Sequence, residues 1–199
     1  MNTTIVITAL VIVAVLIILA AALIARRRRT DQLRRTFGPE YDRTLREQEG
    51  DARRTEATLI DREKRVEKFP LRALSPVDRE GYAMEWATVQ RRFVDDPSAA
   101  VGTADRLVGR VMLDRGYPMA DFEQRAADIS VSYPDVVQNY RAAHDIVMRH
   151  QDGGVTTEEL RQAMVHYRSL FDDLLAQPAE SPKIERIDRA RGVAHERAS

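Results

Sequence analysis

The sequence predicts an all-α protein with three parts: an N-terminal transmembrane helix, a charged helical stalk, and a compact bundle of about five helices. The first observation is an uncharged run at residues 5–25. The second is that apolar residues between positions 69 and 177 recur three and four apart, which is the period of one helix face. No short segment of this region alternates apolar and polar residues, so no strand is expected.

Residues 5–25 have Thr8 as their only polar side chain, and four arginines follow at once. At about 1.5 Å per residue, a helix of this length spans about 30 Å, the thickness of the hydrocarbon layer. Residues 1–25 are therefore predicted to be a single transmembrane anchor in the lipid bilayer. The arginines that form its predicted membrane flank are Arg26, Arg27, Arg28 and Arg29.

The arginine flank also predicts orientation, because an excess of Lys and Arg beside a span marks its cytoplasmic side. The bulk of the chain is therefore predicted to be cytoplasmic. A cleaved signal peptide is the alternative, since Ala20, Ala21 and Ala22 resemble a cleavage site. Against it, a positive segment before the run is missing, and the run exceeds the usual length of about 7–15 apolar residues. Another alternative places the C-terminal domain outside the cytoplasm.

Charge is unevenly distributed along a chain that is neutral overall. Residues 26–68 hold 14 basic and 10 acidic residues, whereas residues 71–176 hold 12 and 17. The predicted domain is therefore acidic, and we do not expect it to bind nucleic acid, because affinity for phosphate backbones comes mostly from clustered Lys and Arg. The chain has no cysteine, which excludes disulfides and thiolate chemistry.

Residues 26–68 are predicted to be a basic juxtamembrane segment followed by a solvated helical stalk. One apolar residue recurs every seven positions, at Leu45, Ala52, Leu59 and Val66. A coiled coil needs a second apolar stripe, and its positions are polar, at Gln48, Thr55 and Arg62. We therefore expect a monomer, with self-association through the stalk as the alternative.

Residues 69–177 are predicted to be the helical domain, and residues 178–199 a disordered tail. Helices begin where capping residues or prolines occur, at Ser75, Asp96, Asp121, Pro134 and Thr156. The face of the first of these helices includes Trp86. We expect its ring to pack against the last helix, near Tyr167 or Phe171.

Chemical motifs are few. The sequence contains no dinucleotide-binding, P-loop, zinc-protease or nucleophile-elbow pattern. His144 and His166 are one turn apart in a predicted helical hairpin, but a metal site needs a third ligand, and none occurs at a usable spacing. We therefore expect no catalytic residue, no cofactor and no metal.

One loop is a candidate for binding a protein partner. Tyr117, Met119 and Phe122 are large apolar residues near a helix junction. If they were exposed together, they would form a partner patch. The alternative is that they seal the end of the bundle.

Three segments carry a resemblance to a known family. They are RRFVDDPSAAV, RGYPMADFEQRAADISVSYPDVVQNYRAAH and EELRQAMVHYRSLFDDLL. They resemble a family of bacterial single-pass membrane proteins that is described only as hypothetical or membrane proteins, over roughly residues 26–175. The resemblance implies an anchored helical domain at the bacterial inner membrane, and it implies no activity.

The sequence therefore predicts a membrane-anchored, non-catalytic interaction or scaffolding protein with a protein partner. The alternative from another class is a membrane-bound sensor of a small ligand, or an enzyme, with a pocket between the helices of the bundle.

Overall fold

The computed structural model describes residues 2–151 and 153–176, and it describes no side chains for residues 2–9, 11 and 151. Within these ranges the regular structure is helical, in eight helices without a strand. The all-α prediction is confirmed. The chain divides into two compact units, Met1–Asp61 and Arg62–Ser199. The tail predicted at residues 178–199 lies outside the described residues.

The first unit contains α1 (Asn2–Phe37), α2 (Pro39–Glu47) and the beginning of α3 (Ala52–Val66). α1 continues without a break from the predicted span into the basic segment. It ends before Gly38, whose φ of 47° lies in the left-handed region that favours glycine. Pro39 then starts α2, because its fixed φ suits a first helical position.

The membrane-span prediction concerns the first part of α1. No helix in the part of the chain that the structure describes is long and apolar enough to cross a membrane. Five residues of the predicted span, 5–9, and also Val11 lie outside the residues whose side chains are described.

The predicted stalk is helical, but it is not solvated. It consists of α2 and α3, which are separated by a turn in which Gly50 has a φ of 85°. Side chains along it are buried, among them Tyr41, Thr55 and Leu59. Thr55 Oγ1 donates a hydrogen bond to the carbonyl oxygen of Asp51 at 2.9 Å, so its hydroxyl is satisfied within its own helix. A polar residue in a stretch that we expected to be solvated can thus be fully buried.

The second unit contains the end of α3 and five further helices. They are α4 (Pro76–Arg92), α5 (Pro97–Asp114), α6 (Phe122–Ser132), α7 (Val137–Gln151) and α8 (Thr157–Ala176). The predicted caps are confirmed for four of them: Ser75, Asp96, Asp121 and Thr156 each accept a hydrogen bond from a backbone N–H in the first turn. Each cap satisfies a donor that the helix itself leaves unpaired.

α8 lies at the centre of this unit, where it packs against both α5 and α7. Trp86 of α4 is buried, and its ring stacks on Phe171 of α8 with centroids 4.7 Å apart and planes 22° apart. The predicted contact of Trp86 with the last helix is therefore confirmed. It places α4 against α8 and leaves a groove beside their contact.

Candidate functional site

The predicted membrane flank lies in α1. Arg26, Arg27, Arg28 and Arg29 are all exposed. The described large apolar side chains before them, from Leu10 to Ile24, are between 49% and 66% exposed. α1 therefore presents an apolar surface that the described part of the chain does not cover, followed by a basic surface.

The predicted partner patch is not exposed as a whole. Tyr117 is buried, with 3% of its surface accessible, and its hydroxyl donates to Ser132 Oγ at 2.8 Å. Burial raises the pKa of this phenol, so it stays protonated and acts as a donor. Phe122 is half-buried and stacks on His144, whereas Met119 is 72% exposed. The structure thus favours the alternative, in which the aromatic residues seal the bundle.

The loop folds inward because of Gly116. Its φ is 95°, and a Cβ at this position would lie 2.4 Å from the carbonyl oxygen of Pro70. Only glycine allows this close approach of two backbone segments. The turn directs Tyr117 inward, where its ring meets Phe69 edge to face at 6.3 Å. In the sequence, a glycine after a helical pattern indicates only the end of that helix.

The described histidines each have a structural partner. The His144 ring is parallel to that of Phe122, with centroids 3.5 Å apart. His166 Nδ1 lies 3.2 Å from Asn139 Oδ1. Among the described residues, no group of three or more His, Cys, Asp or Glu side chains is placed to hold a metal ion. The two histidines that we predicted to be one turn apart thus pack against different neighbours.

Buried tyrosines form a second set of polar contacts in the bundle. The Tyr167 hydroxyl donates to Asp105 Oδ1 at 3.0 Å, and the Tyr82 hydroxyl donates to a carboxylate oxygen of Asp114. Burial is the main cause that raises the pKa of both phenols. A phenol with a raised pKa is a poor base at neutral pH, so these groups join helices as hydrogen-bond donors. The sequence pattern assigned no role to the two aspartates.

A groove of about 220 Å³ lies between α4 and α8. It is lined by Gln90, Phe93, Arg161, Met164, Val165 and Arg168. Val165 is 55% exposed, although it is flanked on α8 by residues that point into the core. The arginines at its edge are paired along the helix, Arg161 with Glu158 and Arg168 with Asp172. The surface that remains open is therefore mainly apolar.

A second, larger hollow of about 450 Å³ lies in the first unit. Its lining comes from the beginning of α3 and from the part of α1 where the uncharged run ends: Ala25, Arg26, Arg29, Arg53, Glu56 and Ala57. Sequence reasoning named the flank arginines and missed Arg53. Their proximity depends on the turns between α1 and α3, and no pattern in the 23 residues between Arg29 and Arg53 indicates it.

No protein-family model, no curated protein and no solved structure matches this chain.

Proposed function

We propose that this chain is a membrane-anchored, non-catalytic interaction protein that presents the helices α4 to α8 in the bacterial cytoplasm. The observation that supports anchoring is the exposed apolar surface of α1. Moving one Leu or Ile side chain from water into an apolar environment contributes about 1.5–3 kcal/mol. Ten such large apolar side chains are exposed between Leu10 and Ile24. A continuous apolar surface of this kind is typical of a binding or membrane site.

The exposed arginines support the orientation. Arg26 to Arg29 begin where the apolar surface ends, and basic residues beside a span favour the cytoplasmic side. They also suit the anionic surface of the inner leaflet, at about 1 kcal/mol per basic residue. The same residues thus set the direction of insertion and contact lipid headgroups.

An interaction role fits the second unit better than ligand sensing. The groove between α4 and α8 holds about 220 Å³ and is open, whereas small-molecule pockets usually enclose about 300–1,000 Å³. Its apolar residues, Phe93, Met164 and Val165, suit an apolar side chain of a protein partner. Anchoring would confine this groove to a thin layer at the membrane, which raises its effective concentration toward membrane-associated partners.

Fusions at Ser199 test the proposal. A reporter that is active only in the cytoplasm should be active, and one that is active only after export should be silent. The membrane fraction should keep the protein after an alkaline carbonate wash, and deletion of residues 2–25 should release it. The reverse reporter pattern would contradict the orientation, and release of the intact protein by the wash would contradict the anchor.

A further inference from the structure

We propose that the hollow between α1 and α3 binds the phosphate group of an anionic phospholipid. The inference rests on the proposed membrane anchoring and extends it with a defined lipid site. The hollow of about 450 Å³ falls within the size range of ligand sites, and three of its six lining residues are arginines. Arginine is well suited to phosphate, because its planar guanidinium donates two parallel hydrogen bonds.

The charges in the hollow are not neutralised by the protein. The guanidinium groups of Arg26, Arg29 and Arg53 form no ion pair with a carboxylate among the described residues. Glu56 is the one acidic lining residue, and its Oε1 accepts a hydrogen bond from Thr30 Oγ1 at 2.5 Å. Three arginines and one glutamate leave a charge of +2, which suits a phosphodiester with its single negative charge.

Two nearby arginines that do not line the hollow have a carboxylate partner. Arg54, the residue after Arg53, pairs with Asp51 at 3.5 Å. Arg43 of α2 pairs with Glu47 at 2.8 Å. Arg53 faces the hollow, and its charge remains available for an anion.

The position of the hollow favours a lipid as the source of the phosphate. Ala25 is the last residue of the uncharged run and Arg26 is the first charged one, so in an anchored protein the hollow lies where hydrocarbon meets headgroups. Ala25 and Ala57 give it apolar walls beside the arginines. A glycerol backbone can contact such walls while its phosphate meets the guanidinium groups. Free phosphate has no apolar part to place there.

The backbone that carries Arg53 is held in position before any ligand arrives. Asp51 Oδ1 accepts hydrogen bonds from the backbone N–H groups of Arg53 and Arg54, at 2.9 and 3.1 Å, and so caps the start of α3. The contact between Thr30 and Glu56 joins this part of α3 to α1. Preorganised binding groups lose less entropy when a ligand binds. Arg53 is also outside the flank that sets topology, so it can be changed without altering insertion.

The chemistry further predicts a preference among lipids. A zwitterionic phospholipid brings an ammonium group next to its phosphate, and three arginines repel that group. An anionic phospholipid such as phosphatidylglycerol brings only the negative charge. The hollow should therefore bind phosphatidylglycerol more tightly than phosphatidylcholine.

The test uses the full-length protein in detergent and measures lipid binding by native mass spectrometry. Phosphatidylglycerol, phosphatidylcholine and inorganic phosphate are titrated separately. Arg53→Ala should lower the affinity for phosphatidylglycerol about fivefold, which corresponds to about 1 kcal/mol for one basic residue. Arg54→Ala is the matched control, because Arg54 is the adjacent arginine and does not line the hollow. It should leave the affinity within about twofold of the parent. Arg53→Lys, which keeps the charge, should recover part of the loss.

Three results would overturn the inference. They are equal affinity for the two lipids, equal losses for Arg53→Ala and Arg54→Ala, and binding of inorganic phosphate as tight as that of phosphatidylglycerol with the same dependence on Arg53. The carbonate wash separates this inference from the anchoring proposal. If the parent and Arg53→Ala both stay embedded but bind lipid alike, the lipid site alone is refuted. If the parent washes off, the anchor and the lipid site are both refuted.

Discussion

Arg65 donates two hydrogen bonds to a single carboxylate oxygen of Asp128, from Nε at 2.8 Å and from Nη2 at 2.5 Å. Asp128 is buried, with 2% of its surface accessible, and Gln124 Nε2 donates to the same oxygen at 2.8 Å. Arg65 lies on α3 and Asp128 on α6, both within the second compact unit. The folded domain therefore includes residues before position 69, and its buried carboxylate depends on one of them.

This contact predicts different stabilities for two fragments. A fragment of residues 69–176 lacks Arg65 and leaves the Asp128 carboxylate buried with Gln124 as its described partner. Removing one partner of a fully buried pair costs about 3–5 kcal/mol, and the partial exposure of Arg65 lowers that figure. We expect fragment 69–176 to be less stable than fragment 62–176 by about 1–3 kcal/mol in urea unfolding.

Two variants control for the other residues that the shorter fragment lacks. Asp128→Asn should reduce the difference in free energy of unfolding between the two fragments, because a neutral amide needs no cationic partner. Arg65→Ala in fragment 62–176 should cause most of the loss of stability that is expected for fragment 69–176. Equal unfolding midpoints for the two fragments would show that the ion pair contributes nothing to stability.

The stacked pair of Trp86 and Phe171 predicts that truncating Trp86 strongly lowers the free energy of unfolding. Trp86→Ala removes the ring that stacks on Phe171 and leaves a cavity, so fragment 62–176 should lose about 3–5 kcal/mol. Trp86→Phe should cost clearly less, because it keeps an aromatic ring and because Trp86 Nε1 has no hydrogen-bond partner among the described residues. Chemical denaturation measures both values. A melting temperature for Trp86→Ala within a degree of the parent would place this residue outside the core.

His144 predicts a dependence of stability on pH. Burial lowers the pKa of this histidine in the folded state, so the unfolded chain, with a pKa near about 6.5, binds a proton more readily. The contribution of neutral His144 to stability is therefore present above that unfolded value and is lost as pH falls through the folded value. Charged groups that act on the ring from nearby are Asp105, Glu123, Arg125 and Asp145.

His144→Phe tests this dependence, because it keeps the stack on Phe122 and removes the titrating group. The fall in melting temperature between about pH 8 and about pH 5.5 should be smaller for this variant than for the parent. His150→Phe is a suitable control, since His150 has its own partner, Ser98. If the melting temperature fell equally in the parent and in His144→Phe, His144 would be excluded as a cause of the pH dependence.

The groove between α4 and α8 is the surface that we propose for binding a protein partner. Proximity labelling from the intact protein should mark a recurrent set of proteins, and Val165→Asp should reduce that labelling by placing a charge in the apolar groove. Met119→Asp is the control, because Met119 is exposed and does not line the groove. If Met119→Asp alone reduced labelling, the loop before α6 would be the binding surface.

Helix limits in the second unit could be predicted because their signals are local. A cap such as Asp96 and the proline after it act within one turn, and the apolar period of α4 records which face is buried. Contacts between distant residues have no local signal. Arg65 and Asp128 are 63 positions apart, and Arg53 approaches Arg29 only after two turns of the chain. Counting polar residues as exposed therefore failed for Thr55 in the stalk and for Asp128 in the second unit, which are both buried.

The continuity of α1 has a mechanical consequence. Its 36 residues form one helix from Asn2 to Phe37, with 12 of them beyond the predicted span, which is about 18 Å of helix. A flexible hinge after the predicted span would let the rest of the first unit move independently of it. An unbroken helix couples the two mechanically. If the proposed anchor rotates or tilts in a bilayer, the face of α1 that carries Leu33 and Phe37 must turn with it. Under the proposed anchoring, such a rotation is transmitted as torque to α2, which packs against α1.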